Sequence, residues 1–184
     1  MVFNELFSFS RYYCSSLDDL KRRHKDLHIH NYESDEYNFN KKSIQIFIDF
    51  DTSMNFIKST YKKYLHNDLP SFNDIYMNLE DCKKLISKGF QIGAHSKTHR
   101  WMEFLDDETV FNEVLSDCYF IDSLNISRDY YCYPYGSYSN SCIEIIKKAG
   151  FKFSFTIESG DFNASSYNPY LIRRHDANDF FAKI

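Results

Sequence analysis

Two histidines, His95 and His99, stand four residues apart in the segment GAHSKTH. At helical spacing, side chains four residues apart lie on the same face, one turn apart. Two such imidazoles bind one divalent metal ion when a further ligand comes from elsewhere in the chain. The preceding residues predict a helix end, a stop at Gly89 and a short strand, and α/β folds usually carry their chemistry where strands end. The spacing alone leaves open a metal site or two surface histidines placed by chance, and the motifs in the rest of the chain strengthen the metal interpretation.

Asp49 and Asp51 are the candidates for a carboxylate at this site. They lie at the end of the apolar run SIQIFIDF, residues 43–50, which predicts a strand buried on both faces. Side chains two residues apart on a strand point to the same side. We therefore expect Asp51 to be the third metal ligand or the general base, with Asp49 as the next candidate. The alternative is that both cap a helix or lie at a solvated strand end.

Strand and helix patterns alternate along the chain, which predicts an α/β fold with a parallel sheet or barrel. The helix patterns fall at residues 15–25, 54–65, 79–87, 107–124 and 143–149. The strand patterns fall at residues 2–9, 43–50, 130–133, 151–157 and 171–172. A length of 184 residues suits one domain over 1–184, in which 1–42 is the least regular part and 28–42 reads as a polar loop or insertion.

Composition narrows the function classes. The net charge of −4 and the lack of a long basic run argue against nucleic-acid binding. The five cysteines are scattered without a C-x-x-C pair, which argues against a disulfide framework or a thiolate zinc site. No signal-peptide pattern and no apolar run long enough for a membrane span is present. We expect a soluble cytoplasmic protein.

Four segments occur in an order and spacing that resemble the polysaccharide deacetylases, also called the NodB-homology or carbohydrate esterase 4 family. They are ISKGFQIGAHSKTHRWM, YCYPYGSYS, IKKAGFKFSFTIESG and NPYLIRRHDAND, within residues 43–178. The resemblance implies an irregular or incomplete (β/α) barrel and metal-dependent deacetylation. The family motif H-S/T-x-x-H is met in full by His95, Ser96 and His99. The resemblance makes the two histidines ligands of zinc or a similar divalent ion.

Two further motifs of the family are matched in part. The motif R-x-P-Y/F-G is present as CYPYG at residues 132–136, with Cys132 in the place of the arginine. The resemblance implies that the backbone N–H of Tyr135 stabilises an oxyanion. The later arginine motif is matched by RRHD at residues 173–176, with Arg174 as the likelier counterpart. Because a guanidinium stays charged, this arginine is expected to pair with a carboxylate in the cleft.

The first family motif, T-F-D-D-G, is absent, and two placements of it are open. In one, DFDTS at residues 49–53 is the motif, with Thr52 where the metal-binding aspartate belongs. In the other, residues 43–50 are the second strand and the motif falls at FSFSR, residues 7–11, where both carboxylates are lost. The second placement keeps a regular alternation of strand and helix, because residues 66–78 offer no strand.

Two functions follow. The first is a metal-dependent hydrolase that removes an N-acyl group, acetyl or formyl, from an amino sugar or sugar precursor of a surface glycan. Its catalytic residues would be Asp51 or Asp49, Tyr135 and Arg174, and its metal ligands His95, His99 and Asp51. The alternative is a catalytically inactive deacetylase-like protein with a carbohydrate-binding or assembly role.

Overall fold

The computed structural model describes residues 2–13, 16, 18, 19, 22, 34–65 and 75–177. The chain divides into two compact units, Met1–Asp74 and Ile75–Ile184. A single domain over the whole chain remains a prediction. None of the described helices is long and apolar enough to cross a membrane.

The described part of the Met1–Asp74 unit is helical. It contains α1 (Val2–Tyr13), α2 (Asp35–Lys42), a π-helical segment (Ser43–Phe47) and α3 (Phe50–Leu65). Aromatic pairs hold these helices together: Phe9 stacks on Phe56 with ring centroids 3.9 Å apart, and Phe7 meets Phe39 edge-on at 5.5 Å. Helix α1 therefore contacts α2 through Phe7 and α3 through Phe9.

The strands predicted at residues 2–9 and 43–50 are wrong, because both segments are helical. In the second segment the Ile48 N–H donates to the Ser43 carbonyl at 3.0 Å, a five-residue step typical of a π-helix. A short apolar run rich in β-branched and aromatic residues does not by itself distinguish a strand from a buried helix. In the first segment, contacts of the Phe7 and Phe9 rings with Phe39 and Phe56 of neighbouring helices outweigh the local strand preference.

The loop predicted at residues 28–42 is wrong over its second half. Ser34 begins α2, and its side chain accepts a hydrogen bond from the Tyr37 N–H at 3.2 Å. Residues 28–33 lie outside the described part of the chain. The helix predicted at 54–65 is confirmed and starts earlier, at Phe50.

A small parallel sheet forms the centre of the Ile75–Ile184 unit. Strand β1 (Tyr130–Cys132) pairs in parallel with β2 (Phe153–Phe155). Single parallel bridges add Ala94 beside β1 and Ile172 beside β2. Strands predicted in these places are confirmed in position but are shorter than expected. The described residues thus support the α/β prediction, whereas a closed barrel is not confirmed.

Three helices of this unit match their predicted positions: α4 (Leu79–Ser87), α5 (Asp107–Ser123) and α6 (Asn140–Lys148). Their starts are capped by Asn78, Asp106 and Ser139, whose side chains accept backbone N–H groups of the first turn. Helices α4 and α6 are followed by glycines in the left-handed region, Gly89 with φ 87° and Gly150 with φ 89°. Local capping and stop signals therefore fix these elements.

The hydrophobic core of this unit packs around Tyr131 of β1. Tyr131 and Met102 are fully buried, and the Tyr131 hydroxyl donates to the Met102 sulfur at 3.3 Å. Further buried side chains come from α5, α6 and the segment before β2: Val110, Val114, Cys118, Ile121, Cys142, Ile146 and Phe151. The four described cysteines are unpaired thiols. This packing fixes the strand from which the segment CYPYG emerges.

Candidate active site

The side chains of His95 and His99 converge. Their Nε2 atoms are 3.0 Å apart, and the ring planes meet at 73°. The backbone between them is a turn and not the helical turn that the spacing predicts. Ser96 and His99 have φ values of 64° and 53°, in the left-handed region. The pair is therefore brought together by two backbone conformations that residues other than glycine rarely adopt.

The tautomer of His95 is set by its backbone partner. Its Nδ1 atom is 2.7 Å from the carbonyl oxygen of Cys132, at the end of β1. Because a carbonyl oxygen only accepts, Nδ1 carries the proton and donates it. In the neutral ring the lone pair then lies on Nε2, directed at His99. Metal-binding histidines are usually oriented in this way.

His99 is held among aromatic rings. Tyr135 meets it edge-on with centroids 4.6 Å apart, and Tyr135 in turn stacks on Trp101 at 4.8 Å. Partial burial, with a smaller contribution from His95, lowers the pKa of His99. This favours the neutral imidazole, which is the form that binds metal.

The histidine pair fits two positions of a metal site. Two nitrogens that each lie about 2.0–2.1 Å from one zinc ion are about 2.9–3.4 Å apart at common bond angles, and the observed separation is 3.0 Å. Among the described residues, no group of three or more His, Cys, Asp or Glu side chains is arranged to hold a metal. The structure thus supplies two candidate ligands, while the third remains a prediction.

Two acidic residues of α5 hold the loop between the histidines. Glu113 accepts hydrogen bonds from the Ser96 hydroxyl at 2.6 Å, the Thr98 N–H at 2.8 Å and the Thr98 hydroxyl at 2.6 Å. Asp117 accepts the Ser96 N–H at 2.9 Å. Each acid is only 7% exposed. The loop is therefore attached to a helix that is itself fixed in the core.

Neither acid was expected at the site from the sequence. The signal available was their register on α5, where Glu113 and Asp117 share the buried face with Val110, Val114 and Ile121. Acids on the apolar face of a helix need polar partners. Their partners are residues 96–98, which only the folded chain brings to this helix. No local sequence pattern predicts this contact.

The two acids have different protonation behaviour. Burial alone would raise the pKa of Glu113, but the hydrogen bonds from Ser96 and Thr98 outweigh it and lower the pKa. Burial raises the pKa of Asp117 to about 7, and the neighbouring Glu113 charge adds to this shift. Glu113 is thus the fixed anion of the pair, and Asp117 gains or loses its proton near neutral pH.

The segment CYPYG forms a tight turn after β1. A short 3₁₀ turn spans Pro134–Gly136, in which Tyr135 has φ 57° and ψ 10°. Gly136 follows with φ 68°. The turn places the Tyr135 ring against His99, so this motif and the histidine pair meet, as the resemblance implies.

The Arg174 side chain also lies near the end of β1. Its Nε donates to the Thr156 carbonyl at 2.8 Å, and its Nη1 lies 3.9 Å from the sulfur of Cys132. Cys132 is the residue that replaces the motif's arginine. Among the described residues the carboxylate pairing belongs instead to Arg173, which lies 3.3 Å from Glu158. The carboxylate partner expected for Arg174 is therefore not found in this part of the chain.

The structure places the candidate carboxylates in the Met1–Asp74 unit. Asp49 precedes α3, and its carboxylate accepts the Thr52 N–H at 2.9 Å. Hydrogen bonds from Thr52 lower the pKa of Asp49. Asp51 lies exposed in the first turn of α3. Because this segment is not a strand, the argument that both side chains face one cleft is wrong, and the assignment of Asp51 as ligand or base stays a prediction.

Comparisons with known proteins agree with the resemblance seen in the motifs. No curated protein matches the chain. The fold is similar to that of a solved structure of the Streptococcus pyogenes deacetylase PplD in complex with acetate, with a TM-score of 0.52 and 19% identity. The match covers 65% of this chain and 57% of that one, so the chain spans little more than half of the PplD structure's length.

The family model described as polysaccharide deacetylase matches residues 40–154, well over half of the chain. The matched region contains the histidine pair, CYPYG and DFDTS at 49–53, whereas FSFSR at 7–11 lies outside it. Members of this family are generally metal-dependent. The chain belongs to the polysaccharide deacetylase family.

Proposed function

We propose that this protein is a zinc-dependent hydrolase that removes an N-acyl group, acetyl or formyl, from an amino sugar or a sugar precursor of a surface glycan. The observation that carries the proposal is the convergence of His95 and His99, with Nε2 atoms 3.0 Å apart and the first ring oriented by the Cys132 carbonyl. Membership of the deacetylase family supports the reaction class.

In the proposed mechanism, His95 and His99 would hold the metal ion with their Nε2 atoms. A bound divalent ion supplies Lewis acidity toward the acyl carbonyl and the attacking water. The Cys132 carbonyl keeps the proton of His95 on Nδ1, so that Nε2 stays available. The aromatic contact of Tyr135 limits the freedom of the His99 ring.

The proposal is completed by Tyr135, by Asp51 or Asp49, and by Arg174. The backbone N–H of Tyr135 donates to the oxyanion as the carbonyl carbon becomes tetrahedral. Asp51 would accept the proton of the attacking water and return it to the amine nitrogen as the C–N bond breaks, or it would provide the third ligand; Asp49 is the second candidate for this role. Arg174 contributes positive charge at the end of β1, where its guanidinium lies beside Cys132.

A cavity in the Ile75–Ile184 unit has a lining suited to a carbohydrate, and its lining residues are separate from those of the histidine site. Its volume is about 280 Å³, and it is lined in part by Asp161, Phe162, Tyr167 and Arg173. The Phe162 and Tyr167 rings are neighbours, with centroids 4.9 Å apart. Aromatic faces beside a few charged hydrogen-bonding groups are suited to a ligand with apolar faces and many hydroxyls. An amino sugar has this character.

Release of acetate or formate from N-acetylated and N-formylated amino sugars tests the activity. We expect release by the purified protein, its loss with a chelator, and its return on addition of zinc. His95→Ala should abolish it, and Asp51→Asn should reduce it by a factor of about 10² or more. Glu108→Gln, an exposed change on α5, is the control. Equal activity of the wild type and Asp51→Asn would contradict the base assignment.

A non-catalytic carbohydrate-binding role is the second candidate. Two observations favour it: the sequence lacks T-F-D-D-G, and no third ligand is placed beside the histidines within the described residues. Isothermal titration with amino-sugar oligomers separates the two functions. Binding that survives chelation, without any acyl release in the presence of zinc, would support this candidate and contradict the enzyme.

A further inference from the structure

We propose that Glu113 and Asp117 are positioning residues that hold the loop between His95 and His99 in its metal-binding geometry and thereby set the affinity of the metal site. This inference rests on the proposed function, because it takes the histidine pair as the metal site. The acids lie one turn apart on α5 and belong to none of the family motifs matched in the sequence.

Glu113 and Asp117 contact the loop on both sides of Lys97. Ser96 is held through its N–H by Asp117 and through its hydroxyl by Glu113. Thr98 is held by Glu113 through both its N–H and its hydroxyl. Four hydrogen bonds to buried carboxylates thus fix the residue after the first histidine and the residue before the second. Three of the four bonds go to Glu113, and hydrogen bonds to an ionised carboxylate are stronger than those between neutral groups.

The backbone of the loop needs this support. Ser96 and His99 both adopt positive φ angles that are unfavourable for side chains other than glycine. Such conformations persist only when surrounding contacts hold them. The hydrogen bonds to Ser96 act directly on one of the two strained residues, and those to Thr98 act on the neighbour of the other. Relaxation of either residue would separate the two Nε2 atoms.

The acceptor chemistry of Glu113 is not reproduced by an amide. Its two carboxylate oxygens accept three donors, two at Oε2 and one at Oε1. Glutamine keeps the size of the side chain but loses the charge, and its NH₂ group cannot accept, so the Thr98 hydroxyl would have to change from donor to acceptor. At Asp117 the only loop donor is the Ser96 N–H, and the oxygen of an asparagine still accepts it. The two isosteric changes should therefore differ in severity.

Zinc titration of the metal-free protein by calorimetry tests the inference. We expect Glu113→Gln to weaken zinc binding about 10- to 100-fold, the usual effect of removing a partner of the ligands. Asp117→Asn should weaken it less than tenfold. Glu108→Gln, on the exposed face of the same helix, should bind zinc as the wild type does. Wild-type affinity in folded Glu113→Gln would overturn the inference, even if that variant melts at a lower temperature.

A second readout requires no metal. Imidazole nitrogen NMR signals of metal-free protein report the tautomers of His95 and His99 and their mutual contact. Glu113→Gln should shift both sets of signals, and Glu108→Gln should not. A wild type that binds no zinc would refute the proposed function, while these shifts would still support the positioning role. Histidine signals unchanged by Glu113→Gln would overturn the positioning role whether or not zinc binds.

Discussion

Replacement of Gly136 by alanine tests the turn that carries Tyr135 to the histidine pair. Gly136 has φ 68°, and a Cβ atom there would overlap Cγ1 of Ile157 and lie 3.0 Å from its Cβ and Cδ1. Alanine at this position would therefore combine an unfavourable backbone conformation with a steric overlap against Ile157, which lies two residues after β2. Gly150 provides the matched control, because its φ is 89° and no described atom lies within 4 Å of an added Cβ.

The expected magnitudes follow from these two environments. A left-handed conformation costs a residue with a Cβ about 1–2 kcal/mol, and this is the expected loss of unfolding free energy for Gly150→Ala. Overpacking adds about 1–3 kcal/mol, so Gly136→Ala should lose about 2–5 kcal/mol. Ile157→Ala, combined with Gly136→Ala, should recover part of the difference, because it removes Cγ1 and Cδ1.

Urea unfolding followed by fluorescence measures these changes. The chain has one tryptophan, Trp101, and its ring stacks on Tyr135 at the turn under test. We expect Gly136→Ala to lower the unfolding free energy more than Gly150→Ala does. Equal losses in the two variants, or no recovery with Ile157→Ala, would refute the placement of the turn against Ile157.

Three further predictions concern stability. The folded pKa of Asp117 is about 7, above its usual 3.8, so the unfolded chain loses this proton first as the pH rises. Its contribution to stability is therefore full below about pH 4 and falls toward pH 7, by up to about 4 kcal/mol; in urea unfolding across this range, the stability of the wild type relative to that of Asp117→Asn should fall as the pH rises. Asn78→Ala removes the cap of α4 and should cost about 1 kcal/mol, measured by thermal unfolding. Met102→Ala, at a fully buried site, should cost about 2–5 kcal/mol in the same assay, and an unchanged melting temperature would contradict its placement in the core.

The elements that local signals specify could be predicted from the sequence. Helices α4, α5 and α6 have a capping side chain at the start, and α4 and α6 end at a glycine. These groups act within one turn of the helix that they begin or end. Residues 43–48 carry no comparable signal, and their apolar run suits a strand and a buried helix equally. Packing within the first unit decides between the two.

The candidate site, too, could be predicted from the sequence only in part. The spacing of His95 and His99 identifies the pair, but the helical geometry inferred from that spacing is wrong. Convergence of the rings depends instead on left-handed residues and on Glu113 and Asp117, which follow Ser96 by 17 and 21 residues. Contacts over such separations leave no periodic pattern in the sequence. The strand argument that put Asp49 and Asp51 on one face is wrong, because these residues precede and begin helix α3, and their assignment to the site stays a prediction.

Metal content is the most direct test of the proposed site. Purified protein is incubated with zinc, dialysed and analysed for bound metal, together with His95→Ala, His99→Ala and the control Glu108→Gln. The convergence of the two Nε2 atoms predicts about one equivalent of zinc in the wild type and control, and its loss in either histidine variant. A wild type without bound zinc, or full retention of zinc in both histidine variants, would contradict the account.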